Sequence, residues 1–243
     1  MATTNPGQAR DAFPATRWSM ATQALGAPGK PSTEALGELG ARYRYPVYAY
    51  VRCCGHTPAI AQDIAGSFLR DLHLHVREQP VPRGIEHFRR FLIERLQQWL
   101  GGDWHQLLKD SEGETLIEDA TLEARRARDC RPTDSPERAF QRAFALEVLH
   151  RALARLHAEA RQTGHPDMYA ALVPLLGHDP SPAQRDDIAR ALRMRPLTLV
   201  VALKRLRQRL RELAREELAD TVASADDLAA EQETLLAILQ STD

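Results

Sequence analysis

Along most of the chain, apolar residues recur at steps of three and four, the spacing that gathers them on one side of an α-helix. TRWSMATQAL predicts a short helix between Gly/Pro-rich stretches. From Ser32/Thr33, a good N-cap site, the stretch EALGELGARYRYPVYAYVRCCG predicts a longer one. Pro46 is expected to bend or divide it, because proline has no N–H and crowds the preceding turn. Gly55 supplies a left-handed end. Thr57 as N-cap and Pro58 at the first helical position open the next helix, with Ile60, Ile64, Phe68 and Leu69 or Leu72 as its stripe. After REQPVPRGIEH, a loop, the stretch FRRFLIERLQQWL places Phe88, Leu92, Leu96 and Trp99 on one face, until Gly101 and Gly102 interrupt it. Core packing is the simplest role for Phe88 and Trp99 at this spacing.

From Lys109 to Arg138 apolar periodicity fades, and acidic and basic patches with two prolines read as a linker with at most one weak helix. Periodicity resumes at Ser135-Pro136, with Phe144, Val148, Leu149, Leu153 and Leu156 on the inner side. TGHPD breaks it, MYAALVPLLG forms another short helix, and HDPSP breaks the chain again. Ile188, Ala191 and Leu192 then edge a short helix, and Leu199, Leu203, Leu206, Leu210 and Leu213 make a continuous seam on a long one. Leu228, Leu235, Leu236 and Leu239 give the C-terminal segment the spacing of a terminal helix. Strand alternation persists nowhere, so the expected fold class is all-α.

Composition changes this picture little, and charge changes it locally. The 243 residues carry a formal net charge of -1, so any polyanion-binding role must come from charge arrangement. Arginine and lysine dominate from Arg185 to Arg215, whereas every charged residue from Glu216 to Asp243 is acidic. On the long helix, Thr198, Val201, Lys204, Arg205, Gln208 and Arg211 point away from the leucine seam. Such a face suits phosphates and base edges, and equally an ordinary solvated face with internal Arg–Glu pairs. The acidic tail is itself a candidate to screen these cations.

The three cysteines, two of them adjacent, form no disulfide framework or zinc spacing. The expected setting is the reducing cytoplasm, with no signal peptide and no membrane span. His73 and His75 are two apart and diverge on a helix, so they share no metal; Asp63 with His56 has no defined geometry. With no nucleophile elbow or phosphate loop, no enzymatic role, metal or cofactor is expected.

Several separated motifs carry a resemblance. DDIARALRMRPLTLVVALKRLRQRLREL resembles the C-terminal helix-turn-helix of bacterial RNA polymerase sigma factors of the extracytoplasmic-function class, with Ile188, Ala189, Leu192, Met194, Val201, Ala202, Arg205, Leu206, Arg207 and Arg211 in matching places. LGELGARYRYPVYAYVRCCGHTPAIAQDIAGSFLRDL and FRRFLIERLQQWLGGDW are similar to that family's N-terminal domain, and TRWSM and REELADTVASADDLAAEQETLLAIL to the two ends of one subgroup.

The resemblance implies two small helical domains joined by a flexible linker, the C-terminal one a helix-turn-helix. It implies an N-terminal extension over residues 1–31, a polymerase- and minus-10-binding domain over 32–108, a linker over 109–135, a minus-35-binding domain over 136–215, and an acidic tail over 216–243. Its partners would be the RNA polymerase core, through the clamp of the beta-prime subunit, and promoter DNA. Gln62, Asp63, Ser67 and Phe68 would lie on the clamp-facing helix, and Gln79 to His87 would cradle an extruded base. Arg89, Arg90, Arg95, Gln98, Trp99 and Trp104 would lie along strand-separated DNA, and Arg195, Thr198, Lys204, Arg205 and Arg207 along the minus-35 duplex. A decayed module that regulates polymerase without initiating transcription is the alternative.

Two positions depart from the pattern. Arg193 and Arg195 stand at the corner where the family has glycine, for a left-handed turn, and serine, for a cap. Gly66 and Ser67 stand where a polar-acidic pair is common; phosphorylation of Ser67 would restore negative charge, which adds a Ser/Thr kinase, beside an anti-sigma factor, to the expected partners.

Overall fold

The computed structural model describes residues 33–78, 85–102, 120–219 and 225–240. Among them every regular element is helical. The expected helix at TRWSMATQAL, residue Trp104 and most of the loop from Gln79 to His87 lie outside the described residues. The chain divides into two compact units, 1–147 with 218–243, and 148–217. This division runs inside two of the long helices and so differs from boundaries at 135 and 215.

In the first unit, α1 (Thr33–Cys53) is one helix that carries Pro46 inside it rather than two segments. Gly55 ends it at φ +96°, its N–H donating to the Arg52 carbonyl at 3.1 Å. Pro58 opens α2 (Pro58–Glu78), and the Ile60 N–H donates to Thr57 Oγ1 at 3.4 Å as the cap requires. After α3 (Ile85–Gly101) and α4 (Ala120–Asp129) comes α5 (Pro136–Gln162). Ser135 caps α5, its Oγ accepting from the Arg138 N–H at 3.2 Å.

Aromatic rings center this unit. Tyr43 is 5.4 Å from Phe88, edge to face, and stacks on Phe144 at 5.5 Å. Phe68 meets Trp99 edge to face at 6.4 Å, and both are buried with Ile64, Leu72, Leu92 and Leu96. Such rings each remove large apolar areas from water and fix geometry through their quadrupoles. Burial raises the Tyr43 phenol to about 12.

The segment expected to be linker contains α4, which buries no residue yet is held in place by polar contacts. Glu123 takes two hydrogen bonds from the Arg52 guanidinium, at 2.7 and 2.9 Å, and one from Tyr48 Oη at 2.6 Å. Tyr45 Oη donates to Asp129 at 2.9 Å. Arg125 lies 3.8 Å from the Tyr45 ring centroid and pairs with Glu147 at 2.8 Å. An attachment made through charges leaves no apolar periodicity in the sequence, which is why this stretch reads as linker.

The Arg52 guanidinium holds the Glu123 carboxyl at about 2, below its ordinary 4.5. A depressed acid contributes stability above its unfolded pKa and loses it as pH falls through the folded one, so this contribution disappears between about pH 4.5 and 2. With solvent screening it amounts to about 1 kcal/mol. Glu123→Gln should therefore lower stability at pH 7 and flatten the acid limb in denaturant titrations at pH 2–6. An unchanged acid limb would count against the pairing.

The tail forms α9 (Ala225–Gln240), with Leu228 and Leu235 buried and Leu236 exposed. Between the two leucines Glu231 is buried as well, and it pairs with Arg89. The second unit holds the rest of α5, then α6 (Pro166–Leu172), a 3₁₀ turn, α7 (Pro182–Ala191) and most of α8 (Pro196–Ala219). Gly164, at φ +76°, closes α5. Among the described residues the three cysteines are free thiols, and no helix is long and apolar enough to cross a membrane.

Candidate nucleic-acid interface

The α7–α8 hairpin is built by local chemistry at each end. Ser181 and Gln184 form a reciprocal capping box: Ser181 Oγ accepts from the Gln184 N–H at 3.2 Å, and Gln184 Oε1 accepts from the Ser181 N–H at 3.0 Å. At the other end of α7 the Met194 N–H reaches the Ala189 carbonyl at 2.9 Å, and the Arg193 N–H that of Arg190 at 3.1 Å. This is the Schellman pattern, whose pivot must be left-handed. Arg193 takes that role at φ +53°, where the sequence has arginine in place of glycine. An L-residue there costs about 1 kcal/mol, so Arg193→Gly should stabilise the second unit by about 1 kcal/mol in urea denaturation. A loss of stability would mean that the arginine side chain contributes more than its backbone costs.

Arg195 follows as the residue before α8, its carbonyl accepting from the Leu199 N–H at 3.1 Å. Leu199, Leu203 and Ala189 pack with Leu172 and Leu175, and Leu213 packs with Ala152 and Leu156. The seam thus faces inward as its spacing dictates. On α7 the buried alanine is Ala189, and the expected edge residue Ala191 is exposed.

Two sets stand out among the basic residues of this unit. Arg207 donates to Asp179 at 2.6 Å, to the Leu175 carbonyl at 2.7 Å and to the His178 carbonyl, tying α8 to the turn before α7. Arg209 grips Glu159 through two bonds, at 2.7 and 2.9 Å, while Arg155 pairs with Glu216 and Glu217. These arginines hold the unit together, and Arg207, expected along DNA, is one of them. Arg193, Arg195, Lys204 and Arg205 are exposed and pair with no carboxylate of the described residues. Thr198 is exposed beside them. Thr198, Val201 and Arg205 of this face also line an open groove of about 400 Å³, whose apolar walls include Met168, Leu172 and Leu206. The sequence did not reveal it, because its walls come from separated helices.

In the first unit the expected site residues scatter. Arg89 is buried: it pairs with Glu231, donates to Gln141 at 2.7 Å and lies 4.7 Å from the Phe144 ring centroid. It is a packing residue, unavailable to DNA in this structure: Glu231 pairs with its charge and Gln141 accepts one of its hydrogens, while its buried Nε has no hydrogen-bond partner among the described residues. Arg90 is exposed and paired with Glu94 at 3.0 Å. Arg95 covers the Phe91 ring and donates to exposed Gln98 at 2.8 Å. Phe68 is fully buried and Trp99 nearly so, so neither presents a docking surface. Ser67, expected as a surface acceptor, is buried and its Oγ accepts from Arg70 at 3.3 Å, so a kinase would reach it only after α2 moved. Gln62 and Asp63 are half-buried, and burial raises the Asp63 carboxyl above its ordinary value.

Among the described residues no group of three or more His, Cys, Asp or Glu is placed to hold a metal ion. No protein-family model, curated protein or solved structure matches the chain.

Proposed function

We propose that this chain is a sigma-like transcription initiation factor of the extracytoplasmic-function type, which binds RNA polymerase core in the cytoplasm and directs it to promoters. In this reading α7 and α8 act as a helix-turn-helix on the minus-35 duplex, and the first unit meets polymerase and the minus-10 element. The chain performs no chemistry of its own. One observation carries the reading: four exposed cations that pair with no carboxylate of the described residues gather at the corner and outer side of a helix whose other side is a leucine seam. Exposed, unpaired guanidinium and ammonium groups are what a polyanion recruits, since each phosphate contact releases condensed counterions.

A second reading has its own support. Arg89 and Phe68, which the resemblance places toward DNA and polymerase, are both inside the fold. A module that binds polymerase and regulates it without opening promoters would tolerate this. Pull-down of purified core polymerase by the full chain, followed by permanganate probing of promoter DNA, separates the two. The first reading requires binding and melting, and the second requires binding alone. Absence of binding defeats both.

A further inference from the structure

The outer face of α8 does not begin with polar groups. Leu197 is 74% exposed, Val200 41% and Val201 43%. Leu197 and Val201 stand one turn apart, and Lys204 and Gln208 continue the same line, opposite the seam of Leu199, Leu203 and Leu206. Scattered apolar side chains on a surface are ordinary. Three on the first two turns of a helix, bracketed by Arg195, Lys204 and Arg205, form a patch that asks for methyl groups beside negative charge. An apolar protein surface would leave the cations unanswered. The major groove of duplex DNA supplies both needs, the phosphates along its rim and the C5-methyl groups of thymine on its floor.

We infer that Leu197, Val200 and Val201 form a thymine-reading patch, so that the duplex bound by this chain carries adjacent A·T pairs where the first two turns of α8 enter the major groove. The inference rests on the reading of α8 as a DNA-binding helix and specifies what that helix selects. Its reach follows from geometry: four residues at about 1.5 Å rise cover about 6 Å, and base pairs repeat at about 3.4 Å, so the patch spans two to three consecutive pairs. Discrimination comes from shape. A·T and G·C pairs both present an amino group to side chains that accept no hydrogen bond, so the thymine methyl, which a G·C pair lacks, is what distinguishes them.

The test uses the full chain and a pool of duplexes with about 20 random base pairs, the length of two helical turns. Rounds of gel-shift selection should enrich cores holding two or three consecutive A·T pairs. The enriched duplex is then resynthesised with deoxyuridine for thymine in that run, which removes each methyl and leaves every hydrogen-bonding edge intact. Affinity should fall about fourfold per contacted methyl. Leu197→Ala and Val201→Ala should bind the thymine duplex more weakly and lose sensitivity to deoxyuridine, whereas Lys204→Ala should weaken both duplexes equally. Both apolar positions are solvent-exposed, so thermal melts of these variants should match the parent. Equal affinity for thymine and deoxyuridine duplexes, enriched cores without A·T runs, or a Leu197-dependent dimer in sedimentation would overturn the inference and leave DNA binding standing. Failure to enrich any duplex would remove the underlying reading as well.

Discussion

Arg89→Ala should lower the stability of the first unit by about 3–5 kcal/mol, because it removes a charge that pairs with the buried Glu231 carboxylate. The change also removes the donor to Gln141 and the cation over Phe144. In a unit of this size it should move the melting midpoint by about 10 °C. The pair itself is a separate question. Replacing both members with apolar residues of similar volume is often neutral or stabilising, so Arg89→Met with Glu231→Leu should recover most of the loss. If Arg89 were an external DNA contact, Arg89→Ala would leave the melt unchanged and weaken only DNA binding. That result would contradict the assignment of Arg89 to the interior, and with it the seating of α9.

The second large effect concerns the outer face of α8. Arg193, Arg195, Lys204 and Arg205 are exposed and, among the described residues, have no carboxylate partner. If all four contact phosphates, the logarithm of the duplex binding constant should fall with the logarithm of salt at a slope of about -3.6. Removing Lys204 and Arg205 together should bring the slope to about -1.8 and cost about 60-fold in affinity at 0.1 M salt. Arg209→Ala provides the contrast. It breaks the grip on Glu159 and should act through stability, leaving the salt slope of the folded protein unchanged. A double variant with an unaltered slope would place the phosphate contacts elsewhere.

What the sequence made legible was local. The leucine seam of α8, the Thr57-Pro58 start of α2, the Gly55 end of α1 and the terminal helix around Leu228 and Leu235 follow from spacing and capping, which act over one or two turns. At the corner, where the resemblance leads one to expect a left-handed residue, Arg193 takes that backbone. What escaped depends on partners far away in the chain. Nothing near Arg89 signals that Glu231 will neutralise it, and nothing near Glu123 signals that Arg52 and Tyr48 will anchor a helix with no buried side chain. For the same reason Arg207 resembles a DNA contact in sequence yet tethers a turn in the fold. An arginine on a helix has the same local signature whether it meets a phosphate or a carboxylate. The surrounding tertiary contacts decide.

Run-off transcription with purified core polymerase, the full chain and a pool of genomic fragments decides whether this chain starts transcription. Discrete transcripts that require the chain should appear, each preceded by a shared upstream element protected from cleavage, and they should be lost with the Lys204→Ala/Arg205→Ala protein. Core polymerase that neither binds the chain nor starts at new positions in its presence would contradict that role.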